Sequence, residues 1–465
     1  MIVLRDYQQK AIDDLRAAYA AGKRAPLLVA PTGAGKAVML ARVCHGAADR
    51  GSRVYVMVHT VELVDQLSTT LTAEGVHHGI IAAGYDGDAS LRTQVCSVQT
   101  LVRRLSNTPA PDLIITDECH HSCAGSYLAI YKQWPKARLL GVTATPRRLD
   151  GRGLGGVYDA MIETPDTAAL IAAGHLSPFK AFAPPTVDAS ALHIRAGDFA
   201  AEEVDQLMSK AAITGDAISH YRQHADGKRA ALFAHNIKAA QDYAAAFRSA
   251  GYEAFALDGT MDRTIRRQVV KDFRDGRIQV VTSCAILSEG FDLPAIECGI
   301  FLRPTASLGL WRQQVGRTLR LFEGKTHAIL LDHVGNTARH GLPDDPIEWS
   351  LADTPKKKRV GEKPPVSVRV CAKCWATARM TARVCPECDE PFPVKERQIE
   401  QRDGELVEIQ RQQERKQVRM EQGRSQSLDE LVAVYMKRHP DGSTAKAARW
   451  AAHVIAGRQN KRESA

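Results

Sequence analysis

The stretch Ala30-Pro31-Thr32-Gly33-Ala34-Gly35-Lys36 concentrates the residues best able to do chemistry. It follows the apolar run Pro26-Leu27-Leu28-Val29 and precedes Val38-Met39-Leu40-Ala41, so a buried strand breaks into glycines and a lysine and then re-enters a helix. Such a loop cradles phosphate. Glycines let backbone N–H groups approach the oxygens, the helix N-terminus adds a favourable dipole, and Lys36 supplies a point charge. The next position, where a Ser or Thr hydroxyl would ligate Mg²⁺, is Ala37. A glycine loop alone is a weak signal, so its weight depends on what stands downstream.

Asp117-Glu118-Cys119-His120 closes the apolar run Asp112-Leu113-Ile114-Ile115-Thr116. Open α/β sheets bind ligands at the carboxyl ends of their strands. There Asp117 could hold Mg²⁺ through its water shell and Glu118 could orient and deprotonate a water. The plainer reading is two acids capping the following helix. Further on, Gln313-Gln314-Val315-Gly316-Arg317-Thr318-Leu319-Arg320 sets two arginines three residues apart, a spacing expected to put both on one helix face. Their planar forks suit phosphate oxygens, although a solvated face would carry the same residues. Ser288-Glu289-Gly290-Phe291-Asp292-Leu293-Pro294 reads as an irregular loop after a strand, with Asp292 available to a ribose and Gly290 permitting close backbone approach. Near the start, Leu4-Arg5-Asp6-Tyr7-Gln8-Gln9 offers the Gln8 amide, which could pair with an adenine edge or simply sit on a helix surface.

Alternating strands and helices must deliver these groups. Apolar strands are expected at Arg53–Val58, Gln94–Val98 and Arg138–Val142, with Thr60 capping a helix over Val61–Leu71. Runs of this kind imply a parallel, doubly wound sheet over about residues 1–165. A connector punctuated by Pro165, Pro178, Pro184 and Pro185 leads to a second alternation. It has strands at Ala230–Ala234, Ala254–Leu257 and Gln279–Thr282, a helix over Ile237–Ala250 and a basic amphipathic helix over Arg263–Phe273. This second domain spans about residues 166–345.

The order YQ, APTGAGK, HTVEL, SVQT, DECH, TATP and then QxxGRxxR resembles the superfamily 2 helicases and translocases. Within them it is similar to the branch holding the XPB, UvrB and RecG motors and the bacterial RadD proteins. The resemblance implies an α/β fold of two tandem RecA-like lobes, with ATP between them and nucleic acid across both. It places Tyr7 and Gln8 at adenine, and Pro31, Thr32, Gly33, Ala34, Gly35, Lys36 and Ala37 around the phosphates. Asp117 and Glu118 take metal and water, Gly290 and Asp292 form motif V, and Gln313, Arg317 and Arg320 form motif VI. Thr143 and Thr145 would couple the ATP site to the nucleic-acid face.

Composition agrees with a motor on a polyanion. The 465 residues carry a net charge of +9, with 44% apolar and 25% charged residues. No apolar run approaches membrane-spanning length, and Arg5, Asp6, Lys10, Asp13 and Asp14 interrupt the first twenty residues, so a cytoplasmic protein without a membrane partner is expected. After a basic linker at 346–368 containing Pro355-Lys356-Lys357-Lys358-Arg359, Cys371-x2-Cys374-x10-Cys385-x2-Cys388 has the spacing of a four-thiolate Zn²⁺ ribbon over 369–394. A redox dithiol and an iron–sulfur site are the alternatives. So small a module is expected to fold on its metal. Its Trp375, Arg369, Lys373, Arg379 and Arg383 suit single strands or protein docking. Residues 395–465 read as a solvated charged helix followed by a helical hairpin, a candidate for partner docking. Three functions fit: an ATP-dependent DNA helicase or translocase in repair, recombination or replication; an ATP-binding clamp with hydrolysis impaired at Ala37; and an RNA helicase. No nuclease motif accompanies them.

Overall fold

The computed structural model describes residues 2–147, 153–184, 187–189, 191–195, 197–209, 212–259, 261–284, 293, 295–353, 368–393, 425, 427–438 and 443–463. The linker string 355–359, the charged helix expected over 395–424, and Gly290 and Asp292 lie outside the described residues. The chain forms two compact units, Met1–Phe392 and Pro393–Ala465.

The first lobe is a seven-stranded sheet. Its strands are β1 (Pro26–Val29), β2 (Val54–Val58), β3 (His78–Ile81), β4 (Thr93–Ser97), β5 (Leu113–Asp117), β6 (Arg138–Thr143) and β7 (Ala160–Glu163), in the spatial order β3-β4-β2-β5-β6-β1-β7. Every pairing is parallel. Both faces are covered, which is why the inner strands are apolar throughout. Leu28, Val56, Ile115 and Leu140 pack into one buried cluster, and Leu27, Tyr55, Ile114 and Leu139 into another. The edge strands β3 and β7 are only partly buried, and the sequence reading did not single them out. Thr60 caps the helix Val61–Ala73 as expected, its hydroxyl accepting from the Leu63 N–H at 3.4 Å.

The second lobe follows. Strand β8 (Phe179–Phe182) lies inside the stretch read as an irregular connector, and the short β9 (Ile194–Arg195) and β10 (Asp198–Phe199) pair antiparallel. With β11 (Ala230–Ala234), β12 (Ala254–Leu257), β13 (Val280–Ser283), β14 (Cys298–Leu302) and β15 (Ala328–Asp332), β8 completes a parallel sheet ordered β12-β13-β11-β14-β15-β8.

Two departures from expectation matter for function. First, the start of the stretch read as a basic linker, from 346 to 353, is not a free connector. Beyond the helix Asn336–His340 the chain returns to the first lobe, where Trp349 and Leu351 pack against the cluster of Leu154 and Tyr158 and the Gly155 N–H donates to Leu351 O at 2.8 Å. Second, the cysteine module is not self-standing. Its hairpin, β16 (Val368–Val370) and β17 (Thr377–Arg379), docks on the free edge of β8. The Ala183 N–H donates to Trp375 O at 2.9 Å and the Thr377 hydroxyl to Ala181 O at 3.1 Å. Cys371, Ala376, Cys385 and Phe392 are buried in the same cluster as Leu232, Ile300 and Leu331. The module borrows the second lobe's core because an open edge strand and an apolar face were available to it.

In the second unit, the helices Leu428–Arg438 and Thr444–Glu463 form a hairpin that buries Leu431, Ala447 and Ala451, with the Tyr435 and Trp450 rings 5.5 Å apart. No helix among the described residues is long and apolar enough to cross a membrane.

Candidate active site

The glycine loop joins β1 to the helix Lys36–Ala48. Gly33 and Gly35 have φ of +91° and +83°, which a side chain would strain, and a Cβ on Gly35 would lie 2.4 Å from Gln8 Nε2. The buried Gln8 donates to Ala34 O at 2.9 Å and accepts from the Arg5 N–H at 3.0 Å, while the Tyr7 hydroxyl also donates to Ala34 O at 2.8 Å. Tyr7 and Gln8 therefore hold the loop from behind, in contact with its Ala34 carbonyl.

Lys36 Nζ donates to Ala30 O at 3.3 Å. Burial pulls its pKa down, opposed by the nearby charges of Glu118 and Asp117. Asp117 ends β5, and burial followed by the neighbouring Glu118 charge pushes its carboxyl above the usual range. Glu118 adopts a left-handed backbone, φ +46°, uncommon for a residue with a Cβ. Three groups converge on its Oε2. Thr143 donates at 3.5 Å, His120 Nδ1 lies at 3.4 Å, and Gln313 Nε2 donates from the second lobe at 3.3 Å.

Gln313 and Arg317 belong to the helix Leu308–Thr318, called here the arginine helix. That helix enters the first lobe closely: a Cβ on Gly316 would stand 2.4 Å from the Thr32 Cβ. It also ends before Arg320, so the two arginines do not share a helix face as expected. Past its end, the Lys325 ammonium donates to the carbonyls of Thr318, Arg320 (2.9 Å) and Ile296 (2.8 Å), taking over the role of further helical turns.

One cleft of about 390 Å³ gathers Thr32, Gly33, Gly35, Lys36, Ala37, Asp117, Glu118, Gln313, Arg317 and Arg320 from both lobes. Its size suits a nucleotide-scale ligand, and its cations and paired acids suit phosphate and a hard divalent ion. Pro31 instead lines a neighbouring cavity with Arg312 and Asp345. Arg5 and His175, which sequence reasoning did not single out, also line the cleft, His175 with its ring 5.3 Å from that of Tyr7. Arg5 comes with the Tyr7–Gln8 stretch, whereas His175 is brought there by long-range packing.

The four cysteines of the module converge as their spacing requires. Cys371 and Cys388 sulfurs lie 3.6 Å apart, Cys374 and Cys385 likewise 3.6 Å, and all four within 4.8 Å of one another. Tetrahedral thiolates at a Zn–S length of about 2.3 Å stand roughly 3.8 Å apart, whereas a disulfide needs about 2.05 Å. The Lys373 and Glu387 N–H groups donate to Cys371 and Cys385 sulfurs at 3.4 and 3.5 Å. Burial raises the Cys371 thiol, but backbone donors at Cys374 and Lys373 together with the neighbouring Cys388 and Cys374 thiols leave its pKa below the ordinary value. Each pair is followed by a residue with positive φ, Trp375 at +62° and Asp389 at +58°.

Residues 1–148 match the family described as type III restriction enzyme, res subunit, and residues 209–322 match the helicase conserved C-terminal domain. A 51.5 kDa protein of a Lactococcus phage is 35% identical over 371 residues, which are 80% of this chain and 79% of that protein. A Saccharomyces cerevisiae protein assigned as the ATP-dependent helicase IRC3 is 30% identical over 77% of this chain, which spans 56% of that protein's length. Among solved structures, a fragment assigned to the HsdR subunit of a type I restriction enzyme from Vibrio vulnificus has a TM-score of 0.60. That likeness covers 74% of this chain and 67% of the fragment, and at 21% identity it shows a shared fold.

Proposed function

The chain belongs to the superfamily 2 ATP-dependent helicases, and from that premise we propose that it is a DNA-stimulated ATPase that translocates on single-stranded or branched DNA. The observation that carries the reading is the bond from Gln313 of one lobe to Glu118 of the other, in a cleft that Arg317 and Arg320 share with Lys36. Hydrolysis built this way depends on lobe closure, which nucleic acid lying across both lobes can drive. The net charge of +9 favours such a polyanion.

Each residue has a role in that chemistry. The loop amides and Lys36 hold the β- and γ-phosphates. Glu118, fixed by Thr143 and Gln313, orients the attacking water and accepts its proton. Arg317 and Arg320 stabilise charge that develops on the transferring phosphoryl group. Mg²⁺ fits beside Asp117, a partly buried carboxylate that lines the cleft with the phosphate loop, and when bound it would neutralise phosphate charge. Zn²⁺ fits the four thiols, whose separations and backbone donors suit a tetrahedral thiophilic ion. The resemblance to RadD-like proteins, in which a comparable cysteine cluster follows the motor, supports a role in repair, recombination or replication and a cytoplasmic location in a bacterial or phage-infected cell.

Ala37 supports a second reading, an ATP-dependent clamp on nucleic acid that turns over slowly for want of the metal-binding hydroxyl. ATP turnover by the purified protein alone and with single-stranded, duplex and forked DNA and with RNA separates the readings. Stimulation by DNA is expected. Stimulation by RNA alone would overturn the DNA assignment, and tight ATP-dependent binding without turnover would favour the clamp.

A further inference from the structure

The segment 341–353, which returns from the second lobe to the first, is held at two places by three sets of contacts. Its far end is held on the first lobe by the Gly155 N–H to Leu351 O bond and by the Gly153 N–H donating to Asp353 Oδ1 at 2.9 Å. Its near end is held by Arg312, the residue immediately before Gln313 on the arginine helix. Arg312 donates to Pro343 O and, at 3.0 Å, to Asp345 O, so it grips the carbonyls on either side of Asp344. The turn there is rigid: Asp345 Oδ2 accepts from the Leu342 N–H at 2.7 Å, and the Asp345 N–H donates to Leu342 O at 3.1 Å. The third tie comes from the cysteine module. Arg379, at the end of β17, bonds Asp344 Oδ2 at 2.7 Å and lies 3.8 Å from Asp345 Oδ1.

We propose that Arg379 is a positioning residue for ATP hydrolysis. Through Asp344 and the 342–345 turn it fixes Arg312, and Arg312 fixes the arginine helix on which Gln313 and Arg317 reach Glu118 and the phosphates. The cysteine module thereby acts on the catalytic cleft without touching it. Because Arg312 and Gln313 are adjacent, a loosened turn moves the Gln313 amide relative to Glu118, and a small misplacement costs rate more than binding. This inference rests on the hydrolytic reading above for its kinetic arm only.

The magnitude is bounded by the exposure of the pair. Arg379 is about half exposed, and such ion pairs are worth up to about 1 kcal/mol, or about fivefold. Arg379→Ala is therefore expected to lower kcat about three- to fivefold while KM for ATP stays within about twofold and the cysteine-bound metal stays stoichiometric. Asp344→Ala should match it, the double variant should be no worse than either single one, and Arg379→Lys, able to keep one contact, should recover part of the rate. Hydrogen exchange supplies a readout independent of turnover: amides of the helix Leu308–Thr318 should exchange faster in Arg379→Ala. Unchanged exchange in that helix would overturn the proposal, as would additive single variants or loss of metal from Arg379→Ala. If the parent hydrolyses no ATP with any nucleic acid, the hydrolytic reading falls, and the exchange measurement still decides the positioning role.

Discussion

At the scale of single residues, the cleft is most sensitive where charge develops and where two backbones meet. Arg317→Ala and Arg320→Ala should leave ATP binding largely intact and lower turnover, because transition-state charge loses a partner. Loss of an arginine finger costs about 10³-fold or more in related NTPases, and single-turnover kinetics with nucleic acid would show it. Ala37→Thr should raise turnover by restoring a hydroxyl ligand next to Lys36. If the parent is already brisk and the variant no faster, water fills that corner of the metal shell without penalty. Gly316→Ala puts a Cβ 2.4 Å from the Thr32 Cβ, so closure should be blocked and turnover should fall at least about tenfold. Thr32→Gly in the same chain should restore part of it, and equal rates in parent and Gly316→Ala would show that the lobes work farther apart. These positions were legible in the sequence because their chemistry is local, a glycine loop, an acidic pair and an arginine pair within a few residues each. His175 and Lys325 were not, because only the folded chain gives them partners. The shared helix face expected for Arg317 and Arg320 is absent because the helix ends at Thr318, where the Lys325 ammonium takes the Thr318 and Arg320 carbonyls.

At the scale of elements, the inner strands of the first lobe were readable and its edges were not, whereas in the second lobe the edge strand β12 was expected and the buried inner strands β14 and β15 were not. β1, β2, β5 and β6 are buried on both faces and spell out apolar runs, whereas β7 is partly buried and β8 sits among prolines. The module's four converging cysteines were equally plain, but its docking was not, since no spacing rule encodes a pairing between Phe182 and Ala376. That docking changes what metal loss should do. Elemental analysis of the reduced protein should find one zinc per chain. Stripping it, or Cys385→Ser, should lower the unfolding temperature of the second lobe as well as loosen the module, because Cys385 is fully buried in that lobe's own cluster. Amide exchange in β8 and β15 would report it, and exchange unchanged there after metal removal would mean the module is merely appended.

At the scale of the whole molecule, acid should act chiefly through the second lobe. His333 is buried with neither ring nitrogen hydrogen-bonded, and burial followed by His220 lowers its pKa to about 3 from the ordinary 6.5. Burial likewise lowers His340 to about 4. Between those values and 6.5 the unfolded chain binds more protons than the folded one, so stability is full above pH 6.5 and declines as pH falls. His333 alone accounts for a loss on the order of 3 kcal/mol by pH 4. Denaturant titrations from pH 7 to 4 should show the decline, and His333→Leu should flatten it; an unchanged slope would relocate the effect. The seating of the cysteine hairpin against β8 has a consequence of another kind. A parallel sheet whose outermost strand is left bare invites a neighbouring molecule to supply the missing strand. A chain ended at residue 353 would keep every motif of the motor yet present the open backbone of Phe179–Phe182 beside uncovered apolar surface. It should assemble into oligomers or precipitate as its concentration rises, so a shortened motor that looks inert would be reporting self-association, not a lost catalytic group.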